Sequence, residues 1–207
     1  TFFDFLNIDE KEWMPECNAT YKNGITFKNW STVKGCESYF HSFESEVDFK
    51  TEPAFFYNCA VRRKGVDVHA HPDNFYLGST LTDQKRTPLA SENFPFRVGY
   101  GYHFDSGLLG KFLGKHAESL GVKHIPAKVT DISLAEDGNI SHVSLDSGED
   151  IHADLFVDST GFRSLLLQQK LGVGFKEYKE NLFNNAAVTM PTPTVEDYEP
   201  HTTSTAL

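Results

Sequence analysis

The stretch from His103 to Leu171 limits the fold more than any other part of the chain. After Asp105, a good N-cap, Leu108, Leu109, Phe112, Leu113, Ala117 and Leu120 recur at helical spacing, and Gly121 supplies the left-handed residue that ends such a helix. Ala127 to Leu134 and Ile140 to Leu145 then read as strands joined by the turn Glu136-Asp137-Gly138-Asn139, and Asp146 to Glu149 makes a second turn. Asp154-Leu155-Phe156-Val157-Asp158 is a short apolar run bounded by charge, the pattern of a strand buried in a parallel sheet. It runs into Ser159-Thr160-Gly161-Phe162-Arg163 and then a helix through Leu165, Leu166, Leu167 and Leu171. A buried strand ending at a small-residue turn and a helix start offers backbone N–H groups to a ligand. An ordinary strand-to-helix connection has the same residues, and nothing in them selects a cofactor. The order requires a mixed α/β fold.

The first half of the chain is less regular. Asp9 and Glu12 predict a capped helix that carries Trp13 and ends near Cys17. Thr20 to Trp30 reads as one strand, with Tyr21, Asn23, Ile25 and Phe27 on one face and Lys22, Gly24, Thr26 and Lys28 on the other. Ser31 to Glu37 is a polar connection and Tyr39 to Phe43 a short aromatic stretch. From Glu44 to Gly101, with Pro53, Pro72, Pro88 and Pro95, irregular structure and a few short helices are expected, one over Phe75 to Lys85. Thr1 is not Met, the following Phe2, Phe3, Phe5 and Leu6 are core-like, and His201 to Leu207 reads as the start of a strand; both ends are expected to be cut from inside a fold.

Composition narrows the class. A length of 207 residues with 39% hydrophobic residues allows one good-sized core, and no apolar run approaches the roughly 18 residues of a membrane span, so no membrane partner is expected. A formal net charge of −10 argues against nucleic acid, which draws on clustered Lys and Arg. The 3 cysteines, Cys17, Cys36 and Cys59, are too scattered for a disulfide framework, which suits a reducing cytoplasm. His69 and His71 form an HxH pair that no third ligand completes, so no metal site is expected. The 18 Phe fit either a Phe-rich core or a pocket for a flat apolar ligand.

Two candidate sites stand out in the first half. A lone strand lysine is ordinarily a solvated charge, but Lys22 lies near the small Thr20, Gly24 and Thr26, where partial desolvation would leave more free amine to react. His41 and Phe43 lie two apart, so in extended backbone they project to one side. They are either two core aromatics or a pair that holds a planar ring by stacking.

Helix, meander, apolar strand and Gly turn in this order resemble the nucleotide-domain half of single-component flavin monooxygenases. Taken together, four blocks resemble the tryptophan halogenases: Phe2-Phe3-Asp4-Phe5-Leu6 with Glu12-Trp13-Met14, Tyr21-Lys22 through Asn29-Trp30, Tyr102-His103-Phe104-Asp105 with its helix, and Asp154 through Arg163. His41-Ser42-Phe43 fits a fifth, shorter block.

The resemblance implies an oxidoreductase built on a partial FAD-binding, flavin-monooxygenase-like α/β fold. Residues 1–101 would be the substrate-side region, 102–180 part of the FAD-binding domain, and 181–207 a return into the substrate-side sheet. It implies that FAD, supplied reduced as FADH2 by a separate flavin reductase, reacts with oxygen and a halide ion (chloride or bromide) to give hypohalous acid. Lys22 stands where the family's catalytic lysine belongs and would hold the halogen by hydrogen bond or as a haloamine. His41 and Phe43 match residues that sandwich an indole, and Val129 and Gly161 fall where the family meets the flavin nucleotide. Tryptophan, indole or a related small aromatic is the implied substrate, and a homodimer is compatible with the pattern. The family's G-x-G-x-x-G loop, its W-x-W-x-I-P motif and the acidic partner of the lysine are not in these residues, so the chain alone is expected to be inactive. Phe75-Tyr76-Leu77-Gly78 looks more like members that accept free indole or other aromatics. A flavin-dependent aromatic hydroxylase and a non-catalytic flavin-binding protein are the alternatives; Lys22 separates the halogenase from the hydroxylase, which needs no such amine.

Overall fold

The computed structural model describes residues 2–182, 186–188 and 201–205. Two compact units are present, residues 1–121 with 193–207 and residues 122–192.

The first unit opens with α1 (Phe2–Phe5) and α2 (Glu10–Glu16). Asp9 caps α2 by accepting the Lys11 N–H at 2.8 Å. The residues read as a single strand form two, β1 (Thr20–Lys22) and β2 (Gly24–Lys28), which join different sheets. The break is at Asn23, which is 1% exposed. Its carbonyl accepts the Phe43 N–H at 2.9 Å and its side-chain amide donates to the Arg86 carbonyl at 3.3 Å. Both bonds reach distant segments, so alternation along the sequence does not reveal them.

β3 (Ser38–Ser42) lies antiparallel to β2. Gly24 makes the close approach possible, because a Cβ there would lie 2.2 Å from the His41 carbonyl oxygen. After a 3-10 turn (Glu46–Lys50) comes α3 (Glu52–Arg63), twelve residues of helix where irregular structure and a few short helices were expected. Pro53 stands in its first turn, where a missing N–H costs nothing, so the proline starts the helix and does not break it. A second 3-10 turn (Pro72–Asn74) precedes α4 (Leu77–Asp83), inside the predicted span.

β4 (Gly101–His103) pairs antiparallel with β1, and α5 (Ser106–Ser119) follows, capped by Asp105 accepting the Leu108 N–H at 2.9 Å. Phe3, Ile8, Trp13, Cys17 and Phe112 form the core of this unit, with Leu108, Leu109 and Leu113 packed against it. Trp13 is fully buried and stacks on Phe3 with ring centroids 4.1 Å apart. The helical stripe of α5 thus belongs to this unit.

The second unit holds β5 (Val129–Leu134), β6 (Ile140–Leu145) and β7 (Asp150–His152), an antiparallel meander. The first two agree with the alternation in the sequence, and β7 was hidden by its three-residue length. The apolar run Asp154 to Asp158 is not a strand. Among the described residues no strand pairs with it, and Leu155 and Val157 are 79% and 78% exposed. Apolar composition signals burial only where a partner sheet covers it. A 3-10 turn (Gly161–Arg163) and a π-helical turn (Leu165–Lys170) follow. Asp158 accepts the N–H groups of Thr160, Leu166 and Leu167 and the hydroxyls of Thr160 and Ser164, which draw its carboxyl down to about 2. In the first unit β8 (His201–Thr205), which falls where a strand was expected to start, pairs in parallel with β2.

Candidate functional site

Lys22 ends β1 opposite Gly101 of β4. Its Nζ lies 5.7 Å from the centre of the Phe43 ring, and burial lowers its pKa. Gly101 leaves room for that ring, since a Cβ there would come 3.0 Å from Phe43 Cε2. Phe43 is tied to the same place by the bond from its N–H to the Asn23 carbonyl, one residue after Lys22. His41, on β3, is exposed, with its ring 6.2 Å from that of Phe27. His41 and Phe43 line one cleft of about 470 Å³, together with Tyr39, Phe40, Phe55, Tyr76, Glu44 and Glu52 among others. Within this unit Phe43 thus meets Lys22 and shares a cleft with His41, while Lys22 is not among the residues that line that cleft.

The strand pair that carries Lys22 is clamped from its other face. Tyr21 of β1 faces Tyr102 of β4 across the ladder. The Tyr21 hydroxyl donates to Glu10 Oε2 at 2.7 Å, and the Tyr100 hydroxyl donates to Glu10 Oε1 at 2.9 Å. The Tyr102 hydroxyl donates to that same Oε1. Burial, and after it the Glu10 carboxylate, pushes all three phenols above their ordinary pKa. Sequence reading missed this cluster. The alternation Gly99-Tyr100-Gly101-Tyr102 was its available signal, but no local pattern points to Glu10 ninety residues earlier.

Asp48 was missed as well. It is 1% exposed, and its carboxylate accepts the Ser45 N–H at 2.7 Å and the Leu77 N–H at 2.8 Å. It thereby joins the chain just after Phe43 to the start of α4.

In the second unit Val129 begins β5 and lines a separate cleft of about 500 Å³ with Lys128, Arg163 and Lys170. Gly161, at φ +64°, opens the 3-10 turn that presents Arg163 there. Lys170 is 3.9 Å from Asp131, which leaves Lys128 and Arg163 as further cations in the lining. Lys128 and Arg163 beside the apolar Val129 give this cleft side chains that could meet an anionic ligand. Among the described residues no group of three or more His, Cys, Asp or Glu is arranged to hold a metal, and His71 Nδ1 lies 3.6 Å from Asp73. No helix among them is long and apolar enough to cross a membrane.

Solved structures with this arrangement of elements include the tryptophan 6-halogenase SttH of Streptomyces toxytricini, at TM-score 0.78 and 31% identity over 100% of this chain and 43% of that one. The flavin-dependent halogenase BrvH of Brevundimonas sp. BAL3 is similar at TM-score 0.73 and 27% identity, over 100% of this chain and 42% of that one. The α/β scaffold is that of flavin-dependent halogenases. The model of the tryptophan halogenase family matches residues 1–207, and the chain belongs to that family. The 7-chloro-L-tryptophan 6-halogenase KtzR of Kutzneria sp. (strain 744) is 37% identical over 99% of this chain. The chain spans 44% of the length of that relative.

Proposed function

We propose that the protein carrying this chain halogenates a small flat aromatic, tryptophan or an indole-like compound, with FAD reduced by a separate reductase, oxygen and a halide. The observation that carries this reading is the Lys22 amine, partly desolvated and 5.7 Å from the Phe43 ring whose cleft His41 shares. Family membership favours halogenation over hydroxylation, which needs no amine at this place. The flavin, when bound, supplies hypohalous acid from oxygen and halide.

Lys22 carries the halogen. Its free amine attacks the halogen of hypohalous acid; the N–halogen bond forms, the O–halogen bond breaks, and the amine proton leaves with hydroxide as water. The aromatic carbon then takes the halogen, and the ring proton restores the N–H. Burial favours this step by raising the share of neutral amine at a given pH. His41 and Phe43 hold the ring by stacking, and the Tyr21–Glu10–Tyr102 clamp fixes the strand from which Lys22 projects. Val129 and the turn from Gly161 to Arg163 meet the nucleotide part of FAD through the cationic cleft. Three free cysteines, Cys17, Cys36 and Cys59, suit a reducing cytoplasm where a flavin reductase works.

The test is Lys22→Ala in the full-length protein, with halogenated product read by mass spectrometry and peroxide release by a coupled assay. Product is expected to fall by about 10²-fold or more while peroxide release persists. Lys22→Arg fails in the same way, because a guanidinium stays protonated and cannot carry halogen as a neutral amine. Product at the parent level from Lys22→Ala would overturn the reading. Loss of product, peroxide and bound flavin together would assign Lys22 a structural role.

A further inference from the structure

The cleft shared by His41 and Phe43 is unevenly charged. Its walls are aromatic, with Phe43, Phe55 and Tyr76 among them, while its charged lining residues are Glu44 and Glu52; no lysine or arginine lines it among the described residues. Both carboxylates line the cleft beside Tyr76. The Tyr76 hydroxyl donates to Glu52 Oε1 at 3.4 Å, and after burial both Glu52 and Glu44 act to raise its pKa. Neither carboxylate is in a salt bridge among the described residues. The nearby ion pair goes instead to Glu46, which Arg97 approaches to 3.9 Å. Lys22 lies over the Phe43 ring but is not among the lining residues of the cleft.

A flat aromatic stacked on His41 and Phe43 leaves its side chain to reach this end of the cleft. An alkylammonium there gains two carboxylate acceptors and the faces of Tyr76 and Phe55. A neutral tail gains none of the charge-assisted bonds. A carboxylate tail meets like charge and finds no cationic partner among the described residues that line the cleft. We propose that the cleft selects a cationic arylalkylamine over neutral and anionic aromatics of the same shape, with Glu44 and Glu52 as the ammonium acceptors. This rests on the reading of the cleft as the aromatic-substrate site, and it adds the chemical class that the charge of the lining singles out. A zwitterionic amino acid satisfies its ammonium here and leaves its carboxylate without a partner from these residues.

Binding to the full-length protein without flavin separates the two layers. The probes are indole, indole-3-ethylamine and indole-3-propanoate, titrated calorimetrically at low salt. The amine is expected to bind about tenfold more tightly than indole, as one charge-assisted contact implies, and the propanoate more weakly than indole. The ratio of amine to indole affinity falls toward one in Glu44→Gln/Glu52→Gln, and it falls in the parent as salt rises. Circular dichroism checks that the double variant is folded; both positions are at least partly exposed, so the isosteric change costs little stability. If indole binds and His41→Ala or Phe43→Ala abolishes it, yet the amine has no advantage or keeps it in the double variant, the ammonium site is overturned and the aromatic site stands. If no probe binds, or binding ignores His41 and Phe43, the reading of the cleft and the inference fall together.

Discussion

The two clefts are built in opposite ways. The aromatic cleft and the lysine over its Phe43 ring draw on segments far apart in sequence: β1 meets β4, Glu52 and Tyr76 reach the cleft of His41 and Phe43, and Glu10 receives a phenol from Tyr102. The cationic cleft of the second unit stands on a meander whose strands meet their sequence neighbours. The first unit also has a closed core around Trp13, whereas the second leaves Leu155, Val157 and Phe162 largely exposed. Long-range assembly places reactive groups accurately but makes them depend on distant anchors. Local assembly tolerates change and leaves its apolar surface open.

This contrast can be broken by truncation and titration. Trp13→Ala removes a side chain that is 0% exposed, and it should cost about 3–5 kcal/mol in urea unfolding followed by circular dichroism. A cost under about 1 kcal/mol would mean that the first unit has no tight core.

Glu10→Gln sharpens the comparison at one anchor. The amide keeps one acceptor oxygen where the carboxylate had two, so at least one of the three phenols loses its acceptor; the expected cost is about 1–3 kcal/mol. The phenols also set a pH dependence. Their folded pKa values lie above the ordinary 10.0, so their contribution is complete below about pH 10 and is lost as pH rises through the folded values. Phenolate absorbance in the near ultraviolet, read beside circular dichroism, should show these tyrosines ionising late and together with unfolding. Early ionisation without structural change would contradict the clamp.

Arg163→Ala tests the second cleft. Binding of an adenine dinucleotide should weaken by a few-fold, about 0.5–1 kcal/mol, and the loss should shrink with added salt. The smallest effect belongs to Val157→Ser, which changes a residue already 78% exposed and should move stability by no more than about 0.5 kcal/mol. A larger loss would show that this apolar run is covered in the full-length protein.

Where spacing is local, the sequence was legible. Asp105 and the stripe Leu108, Leu109, Phe112 and Leu113 predict α5 because cap and period lie within four turns of one helix. The hairpin of β5 and β6 follows from alternation and one turn. Pro53 misled because its position within a helix, not its presence, decides its effect. Leu155 and Val157 misled because an apolar run says nothing of what covers it.

By itself, the sequence determined the mixed α/β class, the capped helices, the β5–β6 hairpin and the family, since each depends on residue types at short fixed spacing or on blocks in fixed order. Lys22, His41 and Phe43 could be singled out from their neighbours in the sequence, and those blocks supplied the roles expected of them. Their convergence was decided by tertiary structure. Asn23 breaks the strand only because its two partners, Phe43 and Arg86, are brought to it. Glu10 becomes an anchor only when three phenols from β1, β4 and the residue before β4 meet on one carboxylate. Glu44, Glu52 and Tyr76 share a cleft because Asp48 ties the chain beyond Phe43 to the start of α4. Contacts of this kind arise from chain segments closing on one another, and their free energy depends on a geometry that no local pattern encodes.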